Sequence, residues 1–430
     1  MITDLIYLLI LLLLLIIGIS KPVFALVAVI WVDILKPQDT SFSFLAGTPL
    51  SMIVTACFFL SLAINFKQIK APTNFKYHLF LIGFMVWITI TTLNAQYPIL
   101  AWLKFDVVFK TVLAAYFIPF VLKKRSDIEL FVVVAASAFG FFIFVAGVKS
   151  LLGGGGYGIS LVGSSTFMYG EGSTLATLAV CMIPMFWYVS STSLFAKNSL
   201  LFKWIFNGYV FCSLLTLVGT QARTGIIALI VLLLLMIKST KKKIRVTFLA
   251  AMFPLVILFF APDAWFNRME SISSGEATTS EASAVGRLVV WKWTLHYVST
   301  EHPITGGGFY AYLDNANQLH LYSNEEQRII DNPHGKAFHS IIFQVLGEQG
   351  FVGLFLFLGI VSHIYLINRK LRFSKERWKM TMSDSLNKSL IIYCTGGLFV
   401  GIAYYPWMYY LYGLTISLSN LNSKREIDNQ

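Results

Sequence analysis

Charge is scarce in this chain. Only 13% of its 430 residues are Asp, Glu, Lys or Arg, about half of the roughly 25% usual in a soluble domain. With 57% hydrophobic residues and a mean hydropathy of +0.71, a soluble globular fold is excluded. Period-two alternation is missing as well, which excludes a membrane β-barrel. No Gly-Lys-Ser/Thr follows either glycine cluster, so a P-loop and ATP-driven chemistry find no support. No Asp-x-Asp pair marks a candidate external loop, so metal-dependent glycosyl transfer is not indicated. The four cysteines (Cys57, Cys181, Cys212, Cys394) sit in apolar runs without metal-ligand spacing and read as small packing residues. No cofactor and no metal are therefore expected. Heptads, long repeats and low-complexity linkers are lacking too, and residues 1–430 read as a single membrane domain.

What fills the chain instead is a series of apolar runs. A helix of about 17–25 such residues crosses a hydrocarbon layer about 30 Å thick and satisfies its own backbone hydrogen bonds, which lipid cannot do. The expected fold is an all-α polytopic membrane protein of about 12 transmembrane helices. Crossings are expected near 2–19, 22–36, 49–66, 77–94, 104–122, 127–148, 173–190, 203–219, 224–238, 245–261 and 350–368. A last apolar stretch at 388–418 contains Gly396-Gly397 and Pro406, and reads as one kinked span or two short ones. The opening run Leu5–Ile19 has no basic flank and no small-residue cleavage site, so it reads as a retained helix.

The net charge of +12 fits an excess of Lys and Arg in cytoplasmic loops better than a nucleic-acid partner. Short basic loops hold Lys67/Lys70/Lys76, Lys123/Lys124/Arg125, Lys197/Lys203, Lys238 with Lys241/Lys242/Lys243/Arg245, and Arg369 through Lys379. Placing these inside puts 262–338 outside, as one large loop carrying amphipathic helices. That loop holds nine acidic residues (Asp263, Glu270, Glu276, Glu281, Glu301, Asp314, Glu325, Glu326, Asp331) against five basic ones (Arg268, Arg287, Lys292, Arg328, Lys336). Lys21 then lies inside and the N-terminus outside.

A charge beside a span on the outer side is a functional candidate by default. Arg223 is the clearest, in the turn Val218-Gly-Thr-Gln-Ala-Arg-Thr-Gly225, with Gln221 as its polar neighbour; a snorkelling Arg would account for the same pattern. Arg287 follows Gly286 and shares a helix face with Trp291 four residues on. The pattern reads as a helix lying on the outer surface, with Trp291 and Trp293 at headgroup level. A guanidinium offers a donor fork suited to phosphate. His334 and His339 lie in Asn332-Pro-His-Gly-Lys-Ala-Phe-His-Ser340, just ahead of a helical run. A neutral imidazole there can accept a hydroxyl proton; a capping or hydrogen-bonded His is the alternative. Glu348, about half a turn out of phase with His339 on a straight helix, reads as structural. Lys149 precedes the glycines 153–156, and Lys110 is a weaker basic candidate on an embedded helix. Together these groups suit a substrate with a diphosphate headgroup and a hydroxyl acceptor.

The order of these parts resembles the O-antigen ligase and polymerase superfamily. The matching segments are Thr220-Gln-Ala-Arg223, Gly286-Arg287…Trp291, Pro303-Ile-Thr-Gly306-Gly-Gly-Phe309, and His339-Ser-Ile-Ile-Phe-Gln-Val-Leu-Gly-Glu-Gln-Gly350. The N-terminal half, with Lys21-Pro22, Trp31…Lys36-Pro37 and Val148-Lys149 before Gly153–Gly156, is similar to putative O-glycosylation ligases associated with exosortase systems. Two departures stand out. Glu171-Gly172-Ser173 replaces the branch's Asp-Asn-Asn, and Ala222-Arg223-Thr224 replaces Ser-Arg-Gly. The resemblance implies a multi-pass protein of the bacterial inner membrane with its site facing the periplasm. It implies a glycan donor on undecaprenyl diphosphate and an acceptor hydroxyl on lipid A core or protein Ser/Thr. By it Arg223 and Arg287 bind the diphosphate and stabilise the leaving group, His339 orients or deprotonates the acceptor, and His334 assists. A polymerase extending lipid-linked glycan is the alternative within the superfamily. A transporter or flippase is the alternative outside it, and predicts internal repeats and broken helices at mid-membrane.

Overall fold

The computed structural model describes residues 2–41, 43–69, 78–156, 159–163, 167–197, 199–239, 243–261, 263, 265–266, 279–323 and 333–421. Lys70, Lys76, Lys241, Lys242, Arg268, Glu270, Glu276, Glu325, Glu326, Arg328, Asp331 and Asn332 lie outside the described residues. Among the described residues every regular element is helical. The principal helices are α1 (Ile2–Ser20), α2 (Pro22–Leu35), α3 (Leu50–Ile64), α4 (Leu79–Leu93), α5 (Pro98–Val121), α6 (Arg125–Leu151) and α7 (Gly172–Thr192). They continue with α8 (Leu200–Thr220), α9 (Arg223–Ser239), α10 (Lys243–Phe260), α11 (Thr279–Thr300), α12 (Ile341–Leu371), α13 (Arg377–Gly397) and α14 (Pro406–Asn420).

Local chemistry sets several of these boundaries. Proline opens α2, α5 and α14, where its missing N–H costs nothing and its fixed φ suits the first turn. Asp127 accepts from the backbone N–H of Lys123 and Lys124 and so caps α6. Among the described residues, α1, α6, α7, α8 and α12 are long and apolar enough to cross a membrane. α3, α4 and Val246–Phe260 are shorter apolar helices. The bundle has a clear inside and outside: 89% of the most apolar window of α7 is buried, against 17% for α1. α7 is thus the central post, packed on α6, α8, α9 and α13.

The apolar stretch at 388–418 resolves into two helices, α13 and α14, separated by Leu398–Tyr405. Pro406 starts the second rather than kinking a single span. The helical run that begins at Ile341 breaks at Gly350, whose φ is +66°, where the late crossing at 350–368 is expected to begin. A Cβ there would lie 2.2 Å from the Ile304 carbonyl oxygen, so only glycine fits this break. The segment Pro303–Phe309 closes onto it: Gly307 N–H donates to Gly347 O (2.9 Å) and Phe351 N–H to Pro303 O (3.1 Å). Two motifs noted separately in the sequence are therefore the two halves of one contact.

α11 and the turns after it form a small unit at one end of the bundle. Its core is Val289, Val290, Trp293, Tyr297, Phe338 and Leu346. This corrects the expectation for Trp293, which is buried in that core instead of lying at headgroup level. Hydrophobic burial inside the unit outweighs an interfacial position. Asp314 ties the unit to the bundle, accepting from Tyr97 at the start of α5 (2.8 Å) and from Tyr297. Glu348, fully buried, takes Lys104 of α5 at 2.8 Å and the Tyr310 N–H at 3.1 Å. His339 lies outside α12, so the phase of the two residues on a straight helix does not apply; the contacts of Glu348 are with Lys104 and Tyr310.

Candidate functional site

A cavity of about 640 Å³ shows which helix ends meet. Its lining comes from the residues just after α2 (Lys36, Asp39), the early turns of α5 (Lys104), the residues before α7 (Met168), the first turn of α12 (Gln344) and the residues before α14 (Tyr405). Its volume falls in the usual range of small-molecule sites. The lining also includes Leu103 and Val107, both exposed apolar residues on the outer face of the bundle. Where they lie, the cavity reaches the apolar surface.

His339 lies five residues before Gln344, which lines this cavity. Its φ of +47° is left-handed, a conformation a β-carbon normally disfavours and one that recurs at functional sites. The flanking backbone is held on both sides. Trp291 Nε1 donates to the Phe338 carbonyl at 2.9 Å, and the Trp291 ring stacks on Phe343 with centroids 4.9 Å apart. Gln344, about 100° further round the helix, accepts from the Ala403 N–H at 3.1 Å. His339 is thus clamped between α11 and the α13–α14 connection.

The charges around His339 come from three segments. Burial holds its imidazole below the ordinary value of 6.5; Glu171 pulls it up, and Arg287 and Lys336 push it down. The neutral imidazole, able to accept a proton, is therefore the favoured form near neutral pH. Arg287 is half-buried, and its Nε is buried with no hydrogen-bond partner among the described residues. A buried donor without a partner is costly, so this guanidinium is poised for an acceptor from outside the chain. The Lys336 amine lies against the backbone of Gly286, where a Cβ would come within 2.0 Å of it. Arg287 and Lys336 are thus neighbouring cations.

Arg223 opens α9 and is half-buried. The turn before it depends on Gln221 in the left-handed region (φ +50°), which ends α8 and lets α9 start two residues later. A Cβ on Gly172 would lie 3.4 Å from Thr220, and one on Gly225 would lie 2.7 Å from Ala176. The Arg223 turn thus packs along the first turns of α7, next to Glu171.

Among the sequence candidates, the structure brings His339, Arg287 and Trp291 together, and sets Arg223 and Gln221 beside the start of α7. Three others are placed elsewhere. Lys149 donates to the Leu161 carbonyl at 2.8 Å and braces the glycine-rich connection. Lys110 pairs with Asp106 four residues earlier on α5 at 2.6 Å. His334 is exposed in a turn next to Gly335. Sequence reasoning missed Lys336 as a second cation, although it lies in the histidine segment. It missed Lys104 because its partner is 244 residues away, and Gln344 and Tyr405 because nothing local marks them.

Comparison with known families now adds to this geometry. Residues 2–194 match a family of unknown function (DUF5935), and residues 208–358 match the O-antigen ligase family. A search of curated proteins returned no match. The O-antigen ligase match spans Gln221, Arg223, Arg287, Trp291, His334 and His339, while Glu171, Lys149 and Lys110 fall in the other. Residues 208–358 of this multi-pass membrane chain thus match an O-antigen ligase domain, which supports a place in the O-antigen ligase and polymerase superfamily.

Proposed function

We propose that this protein transfers a glycan from undecaprenyl diphosphate to an acceptor hydroxyl at the periplasmic face of the bacterial inner membrane. One observation carries the reading: the left-handed His339, with the cations Arg287 and Lys336 acting on it, stands five residues before Gln344, which lines a cavity that reaches the apolar surface. On this reading Arg287 and Arg223 bind the diphosphate, and the Arg287 Nε finds its missing acceptor there. His339 takes the acceptor proton as the hydroxyl oxygen bonds to the anomeric carbon. The bond from that carbon to the diphosphate oxygen breaks, and its electron pair stays on the diphosphate, stabilised by fixed cations. Neither ATP nor metal is called for, and attack opposite the leaving group gives inversion. The acceptor reaches His339 through the cavity. With about 12 crossings placed by the basic loops, the cavity and the 262–338 loop face the periplasm.

The cavity is built from helix ends and connections. A transport site is expected at the middle of broken helices, so its position weighs against a transporter.

The test uses purified protein in lipid, a glycan on undecaprenyl diphosphate, and no nucleotide or added metal. Lipid A core, a Ser/Thr-rich protein and the lipid-linked glycan itself are offered in parallel. Transfer to lipid A core or protein, lost in His339→Ala, is the expected result. Extension of the lipid-linked glycan alone would replace the ligase with a polymerase. No transfer by folded protein to any acceptor would overturn the reading.

A further inference from the structure

Glu171 is the acidic member of the site, and it stands where the sequence departs from the pattern it otherwise resembles. The packing of three helices fixes its position. A Cβ on Gly396 would lie 2.2 Å from Thr177 of α7, and one on Gly397 would lie 2.8 Å from Ile341 of α12. The end of α13 therefore packs on both α7 and α12. Glu171 immediately precedes α7, and His339 lies two residues ahead of Ile341. The α13–α14 connection joins the two segments, because Tyr405 bonds Met168, three residues before Glu171, and Ala403 bonds Gln344, five residues after His339.

The other groups around the pair are named by the same packing. Arg287 faces His339 from α11, and Lys336 from its own segment; both are cations. Ahead of α14, the Tyr405 hydroxyl donates to Met168 O at 2.7 Å, three residues before Glu171. Burial pushes the Tyr405 phenol up, and the Glu171 charge adds to the rise. The Thr174 hydroxyl donates to one carboxylate oxygen of Glu171 at 3.0 Å and steadies it at the helix start. Among the described charges that act on His339, Glu171 is the negative one.

This arrangement poses an electrostatic problem that one residue solves. Two cations suited to a diphosphate stand beside the group that must become cationic when it takes a proton. Like charges oppose that step. We propose that Glu171 is the positioning residue for His339: its carboxylate holds the imidazolium formed as the acceptor hydroxyl gives up its proton, against Arg287 and Lys336. The proton moves from acceptor oxygen to imidazole, and Glu171 remains ionised throughout. The role rests on the transfer reading given above.

The experiment separates the two ideas by reading His339 without any transfer. Diethyl pyrocarbonate acylates only neutral imidazole. Its pH dependence at His339 is followed by peptide mass spectrometry in the wild type, Glu171→Gln and Glu171→Asp, in lipid. Glu171→Gln retains an oxygen for Thr174, so that hydrogen bond at the helix start is preserved. Loss of the carboxylate is expected to move half-acylation to lower pH by about one unit, and Glu171→Asp to return most of the shift. In the transfer assay, Glu171→Gln moves the acid limb the same way and lowers kcat about tenfold. Identical acylation profiles in wild type and Glu171→Gln would overturn the pairing. A shifted profile in protein that transfers to no acceptor would leave the pairing standing and fail the transfer reading instead.

Discussion

The two ends of this bundle use the same residue types to opposite effect. At one end Arg125, Glu129, Tyr188 and Trp378 form a closed network. Glu129 accepts from Arg125 at 2.9 Å and from Tyr188 at 2.7 Å, and its second oxygen takes the Leu194 N–H at 2.6 Å. Arg125 also donates to Thr192 O and lies over the Trp378 ring at 4.9 Å. At the other end Arg287 and Glu171 act on His339 close in sequence to residues that line a cavity, the Arg287 Nε has no hydrogen-bond partner among the described residues, and His339 has left-handed backbone. A charge whose hydrogen bonds are complete within the chain can only hold the fold together. A charge left incomplete beside an open space has capacity for something else.

The largest expected effects lie at the open end. His339→Ala should lower transfer by about 10²–10⁴-fold, the usual worth of a general base. Arg287→Ala and Arg223→Ala should each lower it by about 10²–10³-fold, as for lost stabilisation of a leaving group. Membrane insertion and thermal unfolding should be unchanged in all three. An Arg287→Ala protein with near-wild-type kcat would break the comparison, because the unpartnered nitrogen would then have no function.

Glu129→Ala should do the reverse. Removing one member of a buried ion pair leaves Arg125 and Tyr188 without their acceptor, at a cost of about 3–5 kcal/mol. Unfolding in detergent should therefore come earlier, while kcat per folded molecule should hold. Lost activity in protein that remains folded would mean that this end is coupled to the chemistry.

Acid should act on the open end through His339. Burial, Arg287 and Lys336 hold its folded-state value below the 6.5 of a free imidazole. Between those two values the unfolded chain binds more protons. The stability His339 contributes is thus full above 6.5 and is lost as pH falls through the lower, folded value. Transfer needs the neutral imidazole, so the acid limb of the pH–rate profile should lie below 6.5. An acid limb above 6.5 would mean that the Glu171 charge outweighs burial and both cations.

The sequence makes some of this legible and hides the rest for definable reasons. Apolar runs mark the long helices because lipid and core both demand them, and Pro22, Pro98 and Pro406 mark where three of them begin. Arg223, Arg287 and His339 stand out because charge beside an apolar run is rare. A boundary near Gly350 is legible, but its cause is hidden, because it is set by contact with Ile304 and Gly306. Trp293 reads as interfacial because an amphipathic helix looks the same whether it meets lipid or a small protein core. Glu171 appears only as a departure from a pattern; its meaning depends on the end of α13 and the connection after it, which pack on both α7 and α12.

Lys110 gives the smallest expected effect and sharpens the contrast by showing that position at a cavity is not enough. It lines a smaller recess of about 250 Å³ that shares Lys36, Asp39 and Val107 with the larger cavity, and in sequence it looks like a candidate. Its amine, however, is already committed to Asp106 one turn away, and both side chains are substantially exposed, at 34% and 59%. Such a pair contributes about 0–1 kcal/mol, and nothing about it is left incomplete. Lys110→Ala should therefore keep transfer within about twofold of wild type. A loss of tenfold or more in protein with an unchanged unfolding temperature would extend the functional surface along α5, and make the smaller recess part of the acceptor's path.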